Sequence, residues 1–364
     1  MKNMLYRGHT ALEYAKMACD TMMETWRAEE LPPKGHFHYH QGVFLSGVQK
    51  IYGLTGEEKY YQYAKDWVDS IIGEDGTIKN FNPGQLDDIQ PGILLYQIYD
   101  KTGDSRYRNT LDTLAQLIRD FPKNAEGGFW HKEGNKEQMW LDGLYMAGPV
   151  CTRYAKTFGY PEYYDISAFQ ALLMKKKTKD FKTGLWYHAW DCSRSARWAD
   201  PETGLSPEFW GRSIGWVPVA VLDELDDLPQ DHKDRQELER LVSELLQAVC
   251  RYQDGESGLW YQVTDQGGRE GNWLESSCTC LFTAAICKAV RLGILDEAYL
   301  ETARKGYQGI IDRLKYRDGR VIIDNICVGT GVGDYAHYCG RPTGENDLHG
   351  VGAYLIMCAE AASM

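Results

Sequence analysis

One pattern recurs along the chain and limits its possible folds more than any other feature. HQGVFLSGVQKIYGLTGEEKYYQYA begins at His40, DDIQPGILLYQIYDKTGDSRYRNT at Asp87 and DGLYMAGPVCTRYAKTFGYPEYYDIS at Asp142. Each opens with an apolar stretch of helical period that runs to a tyrosine twelve residues on: Tyr52, Tyr99 and Tyr154. A short turn with a glycine follows (Gly56, Gly103, Gly159), and then an acidic, Tyr-bearing second helix. The starting residues are 47 and 55 apart, and the tyrosines keep the same spacings. Repeats of this length are single supersecondary units that bury their apolar faces only by stacking or closing on one another.

The first helix of each unit is apolar enough for burial on all sides, and the charged second helix suits an outer face. Three later stretches continue the pattern: RSIGWVPVAVLDELDDLP from Arg212, SSCTCLFTAAICKAVRLG after Glu275, and LHGVGAYLIMCAEAA around His349. With HTALEYAKMACDTMMETW near the start as a further outer helix, the count approaches six inner and six outer helices. The expected fold is therefore all-α: an (α/α)6 toroid of six helical hairpins, closed because no polar capping repeat is evident. An open solenoid is the alternative. GGFWHKE, GLWYHAW, GLWYQV and GRVIID read as short strands or loops at one rim. No linker or low-complexity segment interrupts residues 1–364, which are expected to form one catalytic domain.

Composition narrows the function. Forty basic against 52 acidic side chains give a net charge of -12, without the basic footprint of a nucleic-acid binder. No uncharged apolar run approaches the ~18 residues of a membrane helix. The opening MKNMLYRGHTALEYAKM lacks a leader's apolar core. The ten cysteines are scattered, several within apolar helical stretches (Cys250, Cys287, Cys358), so reduced thiols and a cytoplasmic location are expected. Cys278 and Cys280 form CxC without a second half, which is not a zinc spacing. Eleven Trp and 24 Tyr are many for this length, and they gather beside Gly, His and Asp, as in the aromatic walls of sugar-binding clefts. For any single Trp, core packing is the plainer reading.

The repeat also places polar residues. His40, Asp87, Asp142, Arg212 and His349 all fall at or just before the start of an inner helix, and in a closed toroid those starts share one end. Aspartates there can simply cap free N–H groups. The set argues for more: two acids, two histidines and an arginine in one register, with Trp140, Trp210 and Trp216 beside them. Paired carboxylates in an aromatic cleft suit glycosidic chemistry. Asp142, set among Met139, Trp140, Leu141, Leu144 and Tyr145, is the better candidate to hold a proton. Asp87, followed by Asp88, is better suited to stay ionised, and Asp88 is the alternative for that role. Arg212 offers a fork for a carboxylate, and with Lys132, His131 and His188 it supplies local positive charge in an acidic chain. In HFHYH, His36, His38 and His40 alternate as strand ligands of a metal would, but a site drawn from one short strand is strained, and substrate contact is the stronger reading. Asp347 is placed to orient His349.

YHQGVFLSG, LDDIQPG, GGFWHKEGNKEQMWLDGLYM, TGLWYHAWD, SPEFWGRSIGW, GLWYQVTD, NWLESS and NDLHGVGA occur in that order. With these motifs the chain resembles the unsaturated rhamnogalacturonyl hydrolases, glycoside hydrolase family 105, from Leu12 to the last helix. It is more distantly similar to the unsaturated glucuronyl hydrolases of family 88. The resemblance implies a six-hairpin barrel that removes a 4,5-unsaturated uronic acid from the non-reducing end of oligosaccharides left by pectin lyases. It places the acid/base at Asp142 and the second aspartate at Asp87. Substrate contacts fall on Tyr39, His131, Lys132, Trp140, His188, Trp210, Arg212 and Trp216. His40, Asp88 and His349 complete the candidate set on the register argument alone.

The implied reaction is hydration of the C4=C5 bond, with neither a covalent nucleophile nor a metal or other cofactor. The expected partner is a small oligosaccharide, not nucleic acid or a membrane. The alternatives are an unsaturated glucuronyl or other uronyl specificity on the same scaffold, a sugar epimerase or isomerase using His188 or His349 as base, and a non-catalytic sugar-binding protein.

Overall fold

The computed structural model describes residues 5–364; the first four residues of the opening segment lie outside it. After α1 (Ala11–Thr25) come the hairpins α2/α3 (Tyr39–Thr55, Glu58–Ile71), α4/α5 (Ile93–Thr102, Ser105–Asp120), α6/α7 (Asp142–Phe158, Glu162–Thr178), α8/α9 (Gly211–Leu225, Arg235–Cys250) and α10/α11 (Ser276–Arg291, Leu300–Asp312). A short α12 (Tyr335–Cys339) and α13 (Leu348–Ala362) end the chain.

The inner helices α2, α4, α6, α8, α10 and α13 pack in that order, and α13 returns to α2, so the ring is closed. Each outer helix packs on the inner helix before it, and α1 covers α13. The expected all-α toroid of six hairpins is thus present, and the open solenoid is not. Inner helices are buried nearly all round: every residue of α13 is buried, and α10 is buried from Ser276 to Val290. Outer helices bury one stripe, as α5 does with Tyr107, Thr110, Leu111, Leu114, Ala115 and Ile118.

Local chemistry explains the repeating turn. Gly56, Gly103 and Gly159 end α2, α4 and α6 at φ of 67°, 64° and 78°, and each donates its N–H back to the helix. That left-handed position strongly favours glycine. At the other ends, Thr10 and Glu13 form a capping box on α1, and Asp104 caps α5. The second unit departs from the expected pattern. Around Pro91 the backbone forms two 3₁₀ turns, Leu86–Asp88 and Gln90–Gly92, and α4 begins only at Ile93. The residue before a proline is disfavoured in α geometry, which breaks the helix here. Asp87 therefore sits in an irregular turn and not on the helix itself.

Paired two- and three-residue strands gather near the starts of the inner helices: β1 (Gln138–Trp140) with β2 (Ala189–Asp191), β3 (Trp260–Tyr261) with β4 (Leu274–Glu275), and, after the hairpin β5/β6 (Lys315–Arg317, Arg320–Ile322), β7 (Ile326–Cys327) with β8 (Thr343–Gly344). β1 leads directly into Asp142, β4 into α10, and β2 follows His188. Among the described residues no helix is long and apolar enough to cross a membrane.

One buried acid is independent of the site. Glu224 of α8 lies 1% exposed against Gly148 of α6, where a Cβ would come within 2.0 Å of its Oε1. Burial, opposed weakly by Ser167, pushes its carboxyl up to about 8. A carboxyl raised on folding contributes full stability below the unfolded value near 4.5 and loses it as pH rises through about 8. Glu224→Gln is therefore expected to exceed wild type in urea-unfolding stability at alkaline pH, by up to about 5 kcal/mol, and to lose that advantage in acid.

Candidate active site

A cavity of about 270 Å³ opens where the inner helices begin, close to the low end of ligand pockets at ~300 Å³ and suited to one sugar ring. Its wall comes from four of the six units: Tyr39 and His40 from α2, Asp87 from the first 3₁₀ turn, His131 and Lys132 from the loop before β1, Trp140 and Asp142 around the start of α6, and Trp210, Arg212 and Trp216 around the start of α8. Ten of the thirteen residues expected from the sequence are brought together here. The other three, Asp88, His188 and His349, stand behind the wall.

Neither aspartate caps a helix: no side-chain cap bond is present at α6 or at the Leu86–Asp88 turn. The Asp142 side chain is 13% exposed and accepts a hydrogen bond from buried His188, whose Nε2 lies 3.0 Å from Oδ2. His188 Nδ1 lies 2.7 Å from the Tyr338 hydroxyl. Burial pushes the His188 imidazolium pKa down, against the pull of Asp142, so the ring is neutral. Asp87 Oδ1 lies 3.5 Å from His131 Nε2. Burial opposes its ionisation, but His131, His38 and Lys132 outweigh burial and hold its carboxyl below the usual range. The two acids thus occupy different electrostatic settings in one cavity.

The indoles form the walls. His131 stacks on Trp140 with ring centroids 4.3 Å apart at 10°, and Lys132 Nζ lies 5.7 Å from the same indole. Trp216 stacks on Tyr145 at 4.6 Å and is held deep in the barrel. Trp210 stacks on Tyr338 and lies beneath the Arg212 guanidinium at 4.5 Å.

Adjacent Asp88 does not face the cavity. Its carboxylate accepts from His38 Nδ1 at 2.8 Å, Gln85 Nε2 at 2.7 Å and the Asn82 N–H at 3.1 Å, so it ties the turn together. The Arg212 fork is partly committed: its terminal nitrogens donate to the carbonyls of Cys327 and Val328, the latter at 2.8 Å. An incoming carboxylate meets only the N–H groups left over, which differs from the free two-pronged clamp the motif suggested. His349 is buried behind His40 and donates from Nε2 to the Cys327 carbonyl; its Nδ1 lies 2.9 Å from Asp347 without a hydrogen bond.

The imidazoles of HFHYH do not converge. His36 is exposed, His38 turns to Asp88, and His40 turns to Asp347 and His349. Among the described residues, His40, Asp347 and His349 are the group beside the cavity whose possible ligand atoms lie close together. However, His40 Nε2 is 4.0 Å from Asp347 Oδ1, wider than the ~3.4 Å between tetrahedral ligands bonded at ~2.1 Å. Burial and His349 press the His40 pKa down to about 3, so it faces the cavity as a neutral ring.

Met146 and the loop Gly329–Thr330–Gly331 escaped the sequence reading, whereas His38, named there within HFHYH, does reach the wall. The closely spaced glycines of VGTGVGD were the available signal for that loop. Tyr338 has no such signal, because its link to His188 spans 150 residues.

Comparison with known proteins agrees with this geometry. The model of Glycosyl Hydrolase Family 88 matches residues 14–364. A Clostridium acetobutylicum (C. acetobutylicum ATCC 824) glycoside hydrolase from family 105 superposes with a TM-score of 0.92 at 35% identity, covering 96% of this chain and 99% of that one. The unsaturated rhamnogalacturonyl hydrolase YesR of Bacillus subtilis is 28% identical over 297 residues, 80% of this chain and 79% of its own. An unsaturated 3S-rhamnoglycuronyl hydrolase of Formosa agariphila is 29% identical over 196 residues, about half of each chain. Closed toroid, paired acids and matches from end to end converge: the chain is a glycoside hydrolase and belongs to Glycosyl Hydrolase Family 88, on the family 105 branch of unsaturated uronyl hydrolases.

Proposed function

We propose that this hydrolase releases a 4,5-unsaturated galacturonic acid from the non-reducing end of unsaturated rhamnogalacturonan oligosaccharides, with the whole chain acting as one catalytic domain. The observation that carries the reading is the pairing of Asp142 and Asp87 in one indole-walled cavity of single-ring size. The substrate named for YesR favours the galacturonyl-rhamnose class over a glucuronyl one. A cytoplasmic location fits the buried thiols of Cys19, Cys151, Cys278 and Cys358, which a reducing compartment keeps intact.

In the proposed reaction, the Asp142 carboxyl adds its proton to C4 of the enol ether, and positive charge develops at C5, shared with the ring oxygen. The Asp142 carboxylate then takes a proton from the water that attacks C5. The product is a hemiketal. It opens to a ketone at C5, and C1 releases the remaining sugar. One group must be acid first and base second, which favours a carboxyl in a water-poor, aromatic setting. Ionised Asp87 holds ring hydroxyls and, by its charge, helps keep the proton on Asp142. Arg212 and Lys132 offset the chain's net charge of -12 where the uronate must bind.

The test is turnover of unsaturated galacturonyl-rhamnose beside unsaturated glucuronyl disaccharides, followed by loss of ultraviolet absorbance as the conjugated double bond is hydrated. Faster consumption of the first is expected. Release of the terminal sugar with the absorbance intact would rule out hydration, and preference for the second would move the specificity to glucuronyl substrates.

A further inference from the structure

We propose that Tyr338 is a positioning residue for the reaction: it fixes the tautomer of His188, and so decides which oxygen of Asp142 carries the transferred proton. This inference rests on the role given to Asp142 above.

The argument is a count of protons. The Tyr338 hydroxyl accepts from the Gly333 N–H at 3.2 Å and lies 2.7 Å from His188 Nδ1. A phenol has one hydrogen to give. Among the described residues it has no acceptor other than that nitrogen, so Tyr338 donates and Nδ1 accepts. Both rings are 0% exposed, leaving no room for solvent to offer another arrangement. A neutral imidazole has a single N–H, and with Nδ1 accepting it must be at Nε2. That N–H points at Asp142 Oδ2, 3.0 Å away. Oδ2 is then an acceptor in both halves of the reaction, and Oδ1 is left to give and retake the proton.

The chain of bonds extends to the cavity lining. Gly333 lies two residues past Gly331 of the wall loop, and His337, next to Tyr338, bonds the Gly331 carbonyl at 3.1 Å. Trp210, which forms part of the wall, stacks on the Tyr338 ring at 5.7 Å and 15°. The same short helix thus bonds both the acid's partner His188 and the end of the wall loop. A structural tyrosine would need only the ring. The hydroxyl is what the proton count requires.

Tyr338→Phe keeps the ring and its stacking and removes the donor. His188 can then take either tautomer, and the Asp142 carboxylate loses part of its hydrogen bond. The variant is expected to show kcat reduced about tenfold with KM within about twofold, as positioned acid–base groups contribute to rate and not to ground-state binding. In a His188→Gln background the side-chain amide donates to Asp142 without help, and Tyr338→Phe should then change little. An unchanged kcat in Tyr338→Phe, or an equal loss in both backgrounds, would overturn the assignment. ¹⁵N chemical shifts of His188 in the unaltered protein supply a test that needs no variant. The Nε2–H tautomer supports the proposal and the Nδ1–H tautomer refutes it. That measurement stands even if the unaltered protein fails to turn over unsaturated uronides, so failure of the proposed function and failure of this inference are separable.

Discussion

Replacing Asp142 with Asn is expected to lower turnover of an unsaturated disaccharide ~10²- to 10⁴-fold, the range for loss of a positioned acid–base group. The structure says why the loss should be chemical. Asn has nearly the same shape as Asp, and an amide oxygen at the Oδ2 position still accepts from His188 at the observed 3.0 Å. Asp142 makes no capping bond, so α6 loses no terminal partner. Binding should persist because the walls contributed by Trp140, Trp210 and Trp216 are untouched. The expected signature is a collapsed kcat with KM and urea-unfolding midpoint near wild type. Activity within tenfold of wild type would remove Asp142 from the role of proton carrier.

Much of this was legible in the chain because two local signals repeat. Apolar stretches of helical period marked the inner helices, and a left-handed glycine after each of the first three marked the turns, as Gly56, Gly103 and Gly159 confirm. Given closure, residues at equal register must meet, which is how Asp87, Asp142 and Arg212 could be grouped across 126 positions of sequence. What the register could not resolve was orientation. Asp87 and Asp88 are neighbours of one chemistry, and only the 3₁₀ turn ahead of Pro91 sends the first to the cavity and the second to His38, Gln85 and Asn82. Nor could it reveal how Arg212 is spent, since the Cys327 and Val328 carbonyls come from a segment without period. Tyr338 was hidden for the same reason: α12 has five residues, too few to show a pattern.

Replacing Asp87 with Asn is expected to cost about 10²-fold in kcat, the low end for a charged group in the reacting pair, and to reshape the pH profile in a way that identifies its role. Asp87 is ionised because His131, His38 and Lys132 overcome its burial. With a carboxyl held below the ordinary 3.8, wild type should lose activity on the acid side only at still lower pH, when Asp87 at last takes a proton. The variant has no such group to protonate, so that acid limb should flatten. Tyr338→Phe removes no charged group, so it should leave that acid limb in place, and a flattened limb in Asp87→Asn alone would be hard to produce by general loosening of the site. An acid limb unchanged in Asp87→Asn, with KM raised instead, would mean that Asp87 grips ring hydroxyls and that its charge does not serve the reaction.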